Sequence, residues 1–203
     1  MKGSLIIIAF FVLGIVVGLQ SSTFNFQFST FNFQSSTFIL YALMFCVGIS
    51  IGSDTKTLKS FRGVNPRLMM LPVMTIVGTL AGTAAASALL PHRHLFDCLA
   101  IGSGFGYYSL SSIFITEYKG AELGTIALLA NIMREIITLL CAPLLVRYFG
   151  KLAPISMGGA TTMDTTLPII TRTSGQDYVI VSIFHGFCVD FSVPFLVTFF
   201  CSI

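Results

Sequence analysis

The chain has 203 residues, of which 55% are hydrophobic and only 9% are charged, with a net charge of +3. Soluble domains carry about 25% charged residues, so this composition and a mean hydropathy of +0.90 indicate a membrane protein. A net charge this small, without a basic face, excludes nucleic acid as a partner.

Six apolar runs are long enough, or nearly so, to cross a bilayer as helices, which takes about 20 residues. They predict an all-α integral membrane protein with about six transmembrane helices, forming a single transporter-like domain over residues 1–203. The first run resembles a signal peptide but lacks a clear cleavage site, so we expect it to be retained. The six runs lie near 4–20, 38–53, 68–90, 97–116, 122–148 and 178–201.

A low-complexity loop, 21–37, separates the first two runs and contains the unit STFNFQ twice. The next loop, 54–67, carries four basic residues and is therefore predicted to be cytoplasmic, which places loop 21–37 outside the cytoplasm. We expect a multi-pass protein of the cell inner membrane. The four basic residues are Lys56, Lys59, Arg62 and Arg67.

The sequence offers little for enzyme or cofactor chemistry. The five cysteines lie in or beside apolar runs and form no CxxC pair, which predicts small buried side chains rather than disulfides or metal ligands. No set of a nucleophile and a base stands out, so we expect a protein that is not an enzyme and has no cofactor.

Two segments carry helix-breaking residues inside apolar surroundings. They are GSGFGYYSLSS at 102–112 and GGATTMDTTLPIITRTSG at 158–175. Lipid offers no hydrogen bonds, so unwound backbone there must be buried in protein or line a wet cavity. Paired discontinuous helices are typical of the binding sites of secondary transporters. The candidate binding groups in these segments are Tyr108, Ser109, Ser111, Asp164 and Thr165.

The run 122–148 has Asn131, Arg134 and Glu135 near its centre. A charge at the bilayer centre costs about 2.5–3.5 kcal/mol on insertion scales, which makes such a residue a functional candidate. Glu135 shares a helical face with Asn131 and is the predicted site for a substrate cation or a proton. Arg134 points about 100° away and is predicted to bind Asp164 or a backbone carbonyl.

Two further carboxylates complete the candidate set. Asp164 lies in the second broken segment, where an N-terminal helix cap and a binding site are compatible roles. Asp190 lies midway along the last apolar run and could be a third titrating group, although no break surrounds it.

Four stretches of the chain resemble the bacterial lysine exporter family (LysO). They are GFGYYSLSS at 104–112, NIMREIITLL at 131–140, GGATTMDTTLPII at 158–170 and HGF at 185–187. The resemblance implies an inner-membrane exporter of L-lysine and analogues such as thialysine. It also implies that two buried acidic residues needed for export correspond to Glu135 and Asp164.

The chain resembles only the C-terminal two thirds of the usual family member. We therefore expect either a small membrane subunit that supplies further N-terminal helices or a homodimer. The expected mechanism is proton-coupled antiport, with lysine, protons and the lipid bilayer as partners. Two alternatives stay open: an antiporter of Na⁺ or another cation with protons, and a non-transporting membrane scaffold whose buried charges only hold helices together.

Overall fold

Helices make up all the regular secondary structure of the residues that the computed structural model describes, 66–90 and 93–203. Two short 3₁₀ helices, Gly159–Met163 and Gln176–Tyr178, accompany them. The α-helices are α1 (Pro66–Met69), α2 (Leu71–Ser87), α3 (Leu95–Gly102), α4 (Tyr108–Lys119), α5 (Ala121–Phe149), α6 (Ala153–Gly158), α7 (Leu167–Ser174) and α8 (Val179–Ser202).

Several sequence predictions lie outside the described residues. These are the spans near 4–20 and 38–53, the repeat loop 21–37 and nearly all of the basic loop 54–67. The number of membrane spans in the whole chain therefore stays a prediction.

Among the described residues, two stretches are long and apolar enough to cross a membrane, Ala121–Phe149 and Gln176–Ser202. At a rise of 1.5 Å per residue, the 29 residues of α5 extend for about 44 Å, against a hydrocarbon core of about 30 Å. Large apolar side chains of α5, such as Leu129, Met133 and Leu140, are exposed, which suits contact with lipid. Helix α8 lies deeper, since Val189 and Val193 are fully buried.

The predicted span 97–116 is two helices rather than one. Helix α3 ends at Gly102, and the chain then turns through Phe105 and Gly106, whose φ angles are 45° and 95°. Helix α4 begins at Tyr108. We call this turn, residues 103–107, the first break.

A second break separates α6 from α7. Helix α6 ends at Gly158, the 3₁₀ helix Gly159–Met163 follows, and regular helix resumes at Leu167. We call residues 159–166 the second break. Thr166, not Asp164, occupies the N-cap position of α7.

The two breaks touch each other through their backbones. The Ala160 N–H donates a hydrogen bond of 3.0 Å to the Phe105 carbonyl. Gly159 has a φ of +64°, and a Cβ atom added there would lie 2.1 Å from the same carbonyl oxygen. Only glycine allows this approach, because any side chain would collide with backbone. The crossing therefore depends on the glycine at 159.

Two ion pairs lie away from the crossing, at the end of the described helices where α3 and α5 begin and α4 ends. Arg93 forms a hydrogen-bonded ion pair with Glu122, and Lys119 lies 3.5 Å from Asp97. The hydrogen bond and the negative charge of Glu122 both raise the pKa of Arg93 above its ordinary value. Because these pairs form among themselves, they leave the acids near the crossing without these cations.

Candidate functional site

A cavity of about 190 Å³ lies beside the crossing of the two breaks. Pockets for drug-sized ligands measure about 300–1,000 Å³, so this one suits a smaller metabolite. Its walls combine both breaks with two residues from the start of α4, one from α5 and one from α8. The lining residues are Gly106, Tyr107, Tyr108, Ser109, Glu135, Ala160, Thr161, Met163, Asp164, Thr165 and Asp190.

Three carboxyl groups line this cavity: Glu135, Asp164 and Asp190. They come from three separate elements, α5, the second break and α8. Asp164 is exposed, Glu135 is partly buried and Asp190 is only 7% exposed. All three candidate acids of the sequence therefore meet at one site.

None of these three carboxylates forms an ion pair with a basic residue in the described part of the chain. Asp164 accepts a hydrogen bond of 2.6 Å from the Thr165 N–H, a contact between neighbours in sequence. Like charges in one cavity repel, and a bound cation relieves that repulsion. The site is thus arranged to attract positive charge.

Asn131 does not line the cavity but holds the first break against α5. Its side-chain oxygen accepts a 2.8 Å hydrogen bond from the Gly106 N–H, and its amide nitrogen donates to the carbonyls of Ile101 and Ala127. The residue is 4% exposed. Asn131 therefore fixes the backbone on which Tyr107 and Tyr108 are carried.

Arg134 holds the second break from its start, by binding backbone carbonyls at the end of α6; a backbone carbonyl is one of the two partners considered for it. Its Nε donates to the Met157 carbonyl at 2.8 Å, and a terminal nitrogen donates to the Ser156 carbonyl at 3.2 Å. These carbonyls end α6, where a cation is favoured. The guanidinium also lies 5.9 Å from the centre of the Phe105 ring in the first break.

The Arg134 guanidinium is thus turned away from the acids. It lines a second, more open groove of about 530 Å³, together with Thr75, Thr79 and Ser156. A rotation of about 100° per residue explains how neighbours on one helix serve different sites. Glu135 faces the cavity while Arg134 holds the wall.

The polar candidates of the two breaks separate into two groups. Tyr108, Ser109 and Thr165, three of the predicted binding candidates, line the cavity. Ser111 is fully buried outside the lining, and its hydroxyl donates to the Tyr107 carbonyl at 2.8 Å. Ser111 therefore supports the first turn of α4 rather than facing the cavity.

Sequence reasoning missed a buried chain of hydrogen bonds that joins α2, α8 and the second break. His185 is fully buried, with Nε2 2.9 Å from the Thr75 hydroxyl and Nδ1 3.2 Å from the Thr162 hydroxyl. Thr75 in turn shares a 2.5 Å hydrogen bond with Ser156 of α6. Thr75 is one of several threonines in α2, and Ser156 is the one hydroxyl residue of α6, so no local pattern marks the two as partners.

The second break also has cavity residues that the sequence did not single out by role. Ala160, Thr161 and Met163 line the cavity, while Thr162 faces His185 on the other side of the same 3₁₀ helix. The Thr161 hydroxyl donates to the Gly158 carbonyl at 2.9 Å. The threonine-rich composition of 158–175 indicated a polar segment, but it could not show which threonines line the cavity and which face α8.

The family model described as lysine exporter LysO matches residues 8–201 of the chain. The chain is 38% identical over 161 residues to the lysine exporter LysO of Escherichia coli (strain K12), covering 79% of this chain and 53% of that protein. It therefore spans about half the length of that relative. No solved structure matches the chain.

A second relative is covered more fully. The chain is 34% identical over 164 residues to a putative lysine exporter of Haemophilus influenzae (strain ATCC 51907 / DSM 11121 / KW20 / Rd), covering 81% of this chain and 83% of that protein. Similarity to these exporters and the two long apolar stretches together identify a membrane protein.

Proposed function

Since the chain belongs to the lysine exporter LysO family, we propose that it is a multi-pass protein of the cell inner membrane that exports L-lysine. The observation that carries this proposal is the cavity at the crossing, lined by three carboxyl groups with no basic partner among the described residues. A transported cation needs such unpaired acids, because a permanent ion pair would compete with it.

The chemistry of lysine matches this cavity group by group. At neutral pH lysine carries two ammonium groups and one carboxylate. Glu135 and Asp164 come from different walls of the cavity, so they can bind the two ammonium groups separately. Close analogues with the same three charged groups, such as thialysine, should bind in the same way.

The substrate carboxylate has a binding partner at the start of α4. Tyr108 and Ser109 begin this 12-residue helix and line the cavity. The first backbone N–H groups of a helix have no partner within the helix, and the helix dipole favours negative charge there. The side chains of Ser109 and Thr165 can add hydroxyl donors.

We propose proton-coupled antiport as the mechanism. Protons entering from outside would neutralise cavity acids and release lysine, and lysine binding from inside would displace the protons. The crossing of two broken helices supports this mechanism, because such crossings let a site at mid-membrane open to alternate sides. Both breaks contact α5 near its centre, at Asn131 and Arg134.

The scaffold alternative makes a different demand on the charged residues. It requires Glu135 and Asp164 to be locked to permanent basic neighbours. The nearest basic residue in sequence, Arg134, instead binds the carbonyls of Ser156 and Met157. This arrangement supports transport over a purely structural role.

Replacement of the two acids tests the proposal. We expect Glu135→Gln and Asp164→Asn each to abolish lysine efflux from loaded proteoliposomes, because each removes an ammonium partner without changing side-chain volume. Asp177→Asn is the matched control, since Asp177 is exposed and does not line the cavity. Unimpaired efflux by the Glu135 and Asp164 variants would refute their role.

Substrate identity is tested by competition. Labelled lysine should be displaced from the detergent-solubilised chain by thialysine and unlabelled lysine, but not by Na⁺ at equal ionic strength. Displacement by Na⁺ and not by lysine would favour the cation antiporter instead. The small membrane subunit or homodimer stays a prediction, tested by the mass of the purified assembly.

A further inference from the structure

We propose that Asp190 is the proton-binding group of the cavity, whereas Glu135 and Asp164 bind lysine. This inference rests on the proposed function and divides its site between two tasks. It starts from a mismatch in number: three carboxyl groups line the cavity, but lysine has two ammonium groups. One acid is therefore left for another cation.

Burial distinguishes Asp190 from the other two acids. Asp190 is 7% exposed, whereas Asp164 is exposed and Glu135 is partly buried. No hydrogen bond or ion pair to its carboxylate occurs among the described residues, although the group lines the cavity. A buried, unpaired carboxylate is costly, and binding a proton removes the charge. A proton is also the one cation small enough to need no further space.

In the part of the chain that the structure describes, the ionisable groups around Asp190 include no cation that could replace the proton. The cavity places Glu135, Asp164, Tyr107 and Tyr108 around it. Two other elements that contact α8 are α3, which carries Asp97, and α4, which carries Lys119. These two residues pair with each other and lie near Cys201, at the far end of α8 from His185. The remaining ionisable residues on α8 and its described neighbours are Arg67, His185, Cys98, Cys188, Glu117, Tyr118, Arg172, Asp177 and Tyr178. Arg67 belongs to α1, whose Leu68 packs near Val181 in the first turn of α8, away from Asp190.

His185 lies on α8 five residues before Asp190 and is already engaged. Its two ring nitrogens contact the hydroxyls of Thr75 and Thr162. Arg172 is exposed on α7, and Arg134 binds the end of α6. The ionisable groups that share the cavity with Asp190 are thus carboxyl and phenol groups, and a bound proton would neutralise the charge of Asp190.

The position of Asp190 also allows competition between the two cargoes. A proton on Asp190 lowers the negative charge of the cavity by one, which weakens attraction for an ammonium group at Glu135 or Asp164. A proton bound from the outside therefore favours release of lysine there. Its loss to the inside restores the charge that draws in the next lysine.

Separating exchange from net transport tests this assignment. Proteoliposomes containing the full chain are measured in two ways: exchange of internal for external labelled lysine without a pH gradient, and net lysine efflux with an inward proton gradient. Exchange needs only the lysine-bound carrier, whereas net efflux also needs the proton-bound carrier to return. We expect Asp190→Asn, a neutral group of the same size, to keep exchange at saturating lysine while efflux loses its response to the gradient. The KM for lysine should rise, because the variant carries the charge of the protonated cavity.

Companion variants keep the result decisive. Asp190→Glu restores a carboxyl group and should recover the gradient response, which also controls for folding of the Asn variant. Glu135→Gln should lose exchange and net efflux together. Asp177→Asn should change neither measurement, because Asp177 lies outside the cavity.

Three outcomes would overturn the assignment in distinguishable ways. Loss of exchange in Asp190→Asn even at saturating lysine, with Asp190→Glu folded, would make Asp190 a lysine ligand. A retained gradient response in Asp190→Asn would place the proton on another group. Absence of lysine exchange in the unmodified protein would instead refute lysine export itself, and gradient-insensitive efflux there would refute proton coupling.

Discussion

The two breaks meet the same helix, α5, but different side chains hold them. The first break is held by Asn131, a neutral amide that accepts from the Gly106 N–H and donates to the Ile101 carbonyl. The second is held by Arg134, which only donates, to the carbonyls of Ser156 and Met157.

The difference follows from which backbone groups each break leaves unpaired. A turn between two helices frees N–H groups of one and carbonyls of the other, and an amide can satisfy both kinds. The end of α6 offers carbonyls alone, and a guanidinium satisfies several of them at once. Asn131 and Arg134 are therefore matched to the backbone groups beside them. Of the three polar residues near the centre of α5, Glu135 is the one that lines the cavity.

The contact between the breaks should be the most sensitive point. Gly159→Ala would place a Cβ atom against the Phe105 carbonyl, at a residue whose φ is +64°. We expect a loss of at least about 3 kcal/mol in folding stability, from the collision and the unfavourable φ together. Thermal unfolding of the detergent-solubilised protein measures this loss.

Gly150→Ala separates the two causes. Gly150 also has a positive φ, +88°, but a Cβ atom there would meet nothing within 4 Å. This control should lose only about 1–2 kcal/mol, the cost of the left-handed conformation alone. Equal losses in the two variants would mean that the backbone contact between the breaks contributes little.

Sequence patterns predicted where helices break, but not which side chains meet. Clustered glycines marked both breaks, because glycine weakens helices locally. Asn131 and Glu135 were expected to share one polar face, yet Asn131 binds the first break and Glu135 lines the cavity. Side-chain roles depended on neighbours that are distant in sequence.

The chain of Thr75, His185 and Thr162 shows why part of the site had no sequence signal. Thr75 and His185 are 110 residues apart. Each is one of several scattered polar residues in an apolar helix, a pattern that also fits ordinary packing. Only the packing of α2 against α8 brings them together, and that packing is not encoded in either segment alone.

Arg134→Met should have the second-largest effect. It leaves two carbonyls at the end of α6 unpaired, which costs about 2–6 kcal/mol in stability at about 1–3 kcal/mol each. Removal of a buried charge offsets part of this cost, so we expect a net loss of about 2–4 kcal/mol. Arg134→Lys should recover part of the loss, because an ammonium still donates to carbonyls but lacks the planar fork. Thermal unfolding of both variants is the measurement.

Arg147→Met provides the matched control for Arg134. Arg147 is exposed near the end of the same helix, so its removal should change stability by less than about 0.5 kcal/mol. Arg134→Gln sharpens the comparison with Asn131 by placing a neutral amide at the second break. If Gln restored stability better than Lys, the cation would not be the feature that this break requires.

Asn131→Leu should have the smallest of the three effects. It leaves the buried Gly106 N–H unpaired, and that unpaired group alone should cost about 1–3 kcal/mol in stability. The Ile101 carbonyl keeps a second donor, the Gly104 N–H at 3.2 Å, so its loss is partly covered. Thr125→Val, an exposed change on the same helix, should leave stability nearly unaltered.

The same variant links the first break to the cavity. Because Gly106 and Tyr107 line the cavity, release of the Gly106 N–H should weaken lysine binding even in protein that remains folded at the assay temperature. Isothermal titration of folded Asn131→Leu with lysine measures this effect. Unchanged lysine affinity alongside reduced stability would show that Asn131 supports the helices without shaping the site, and the two breaks would then differ in function as well as in chemistry.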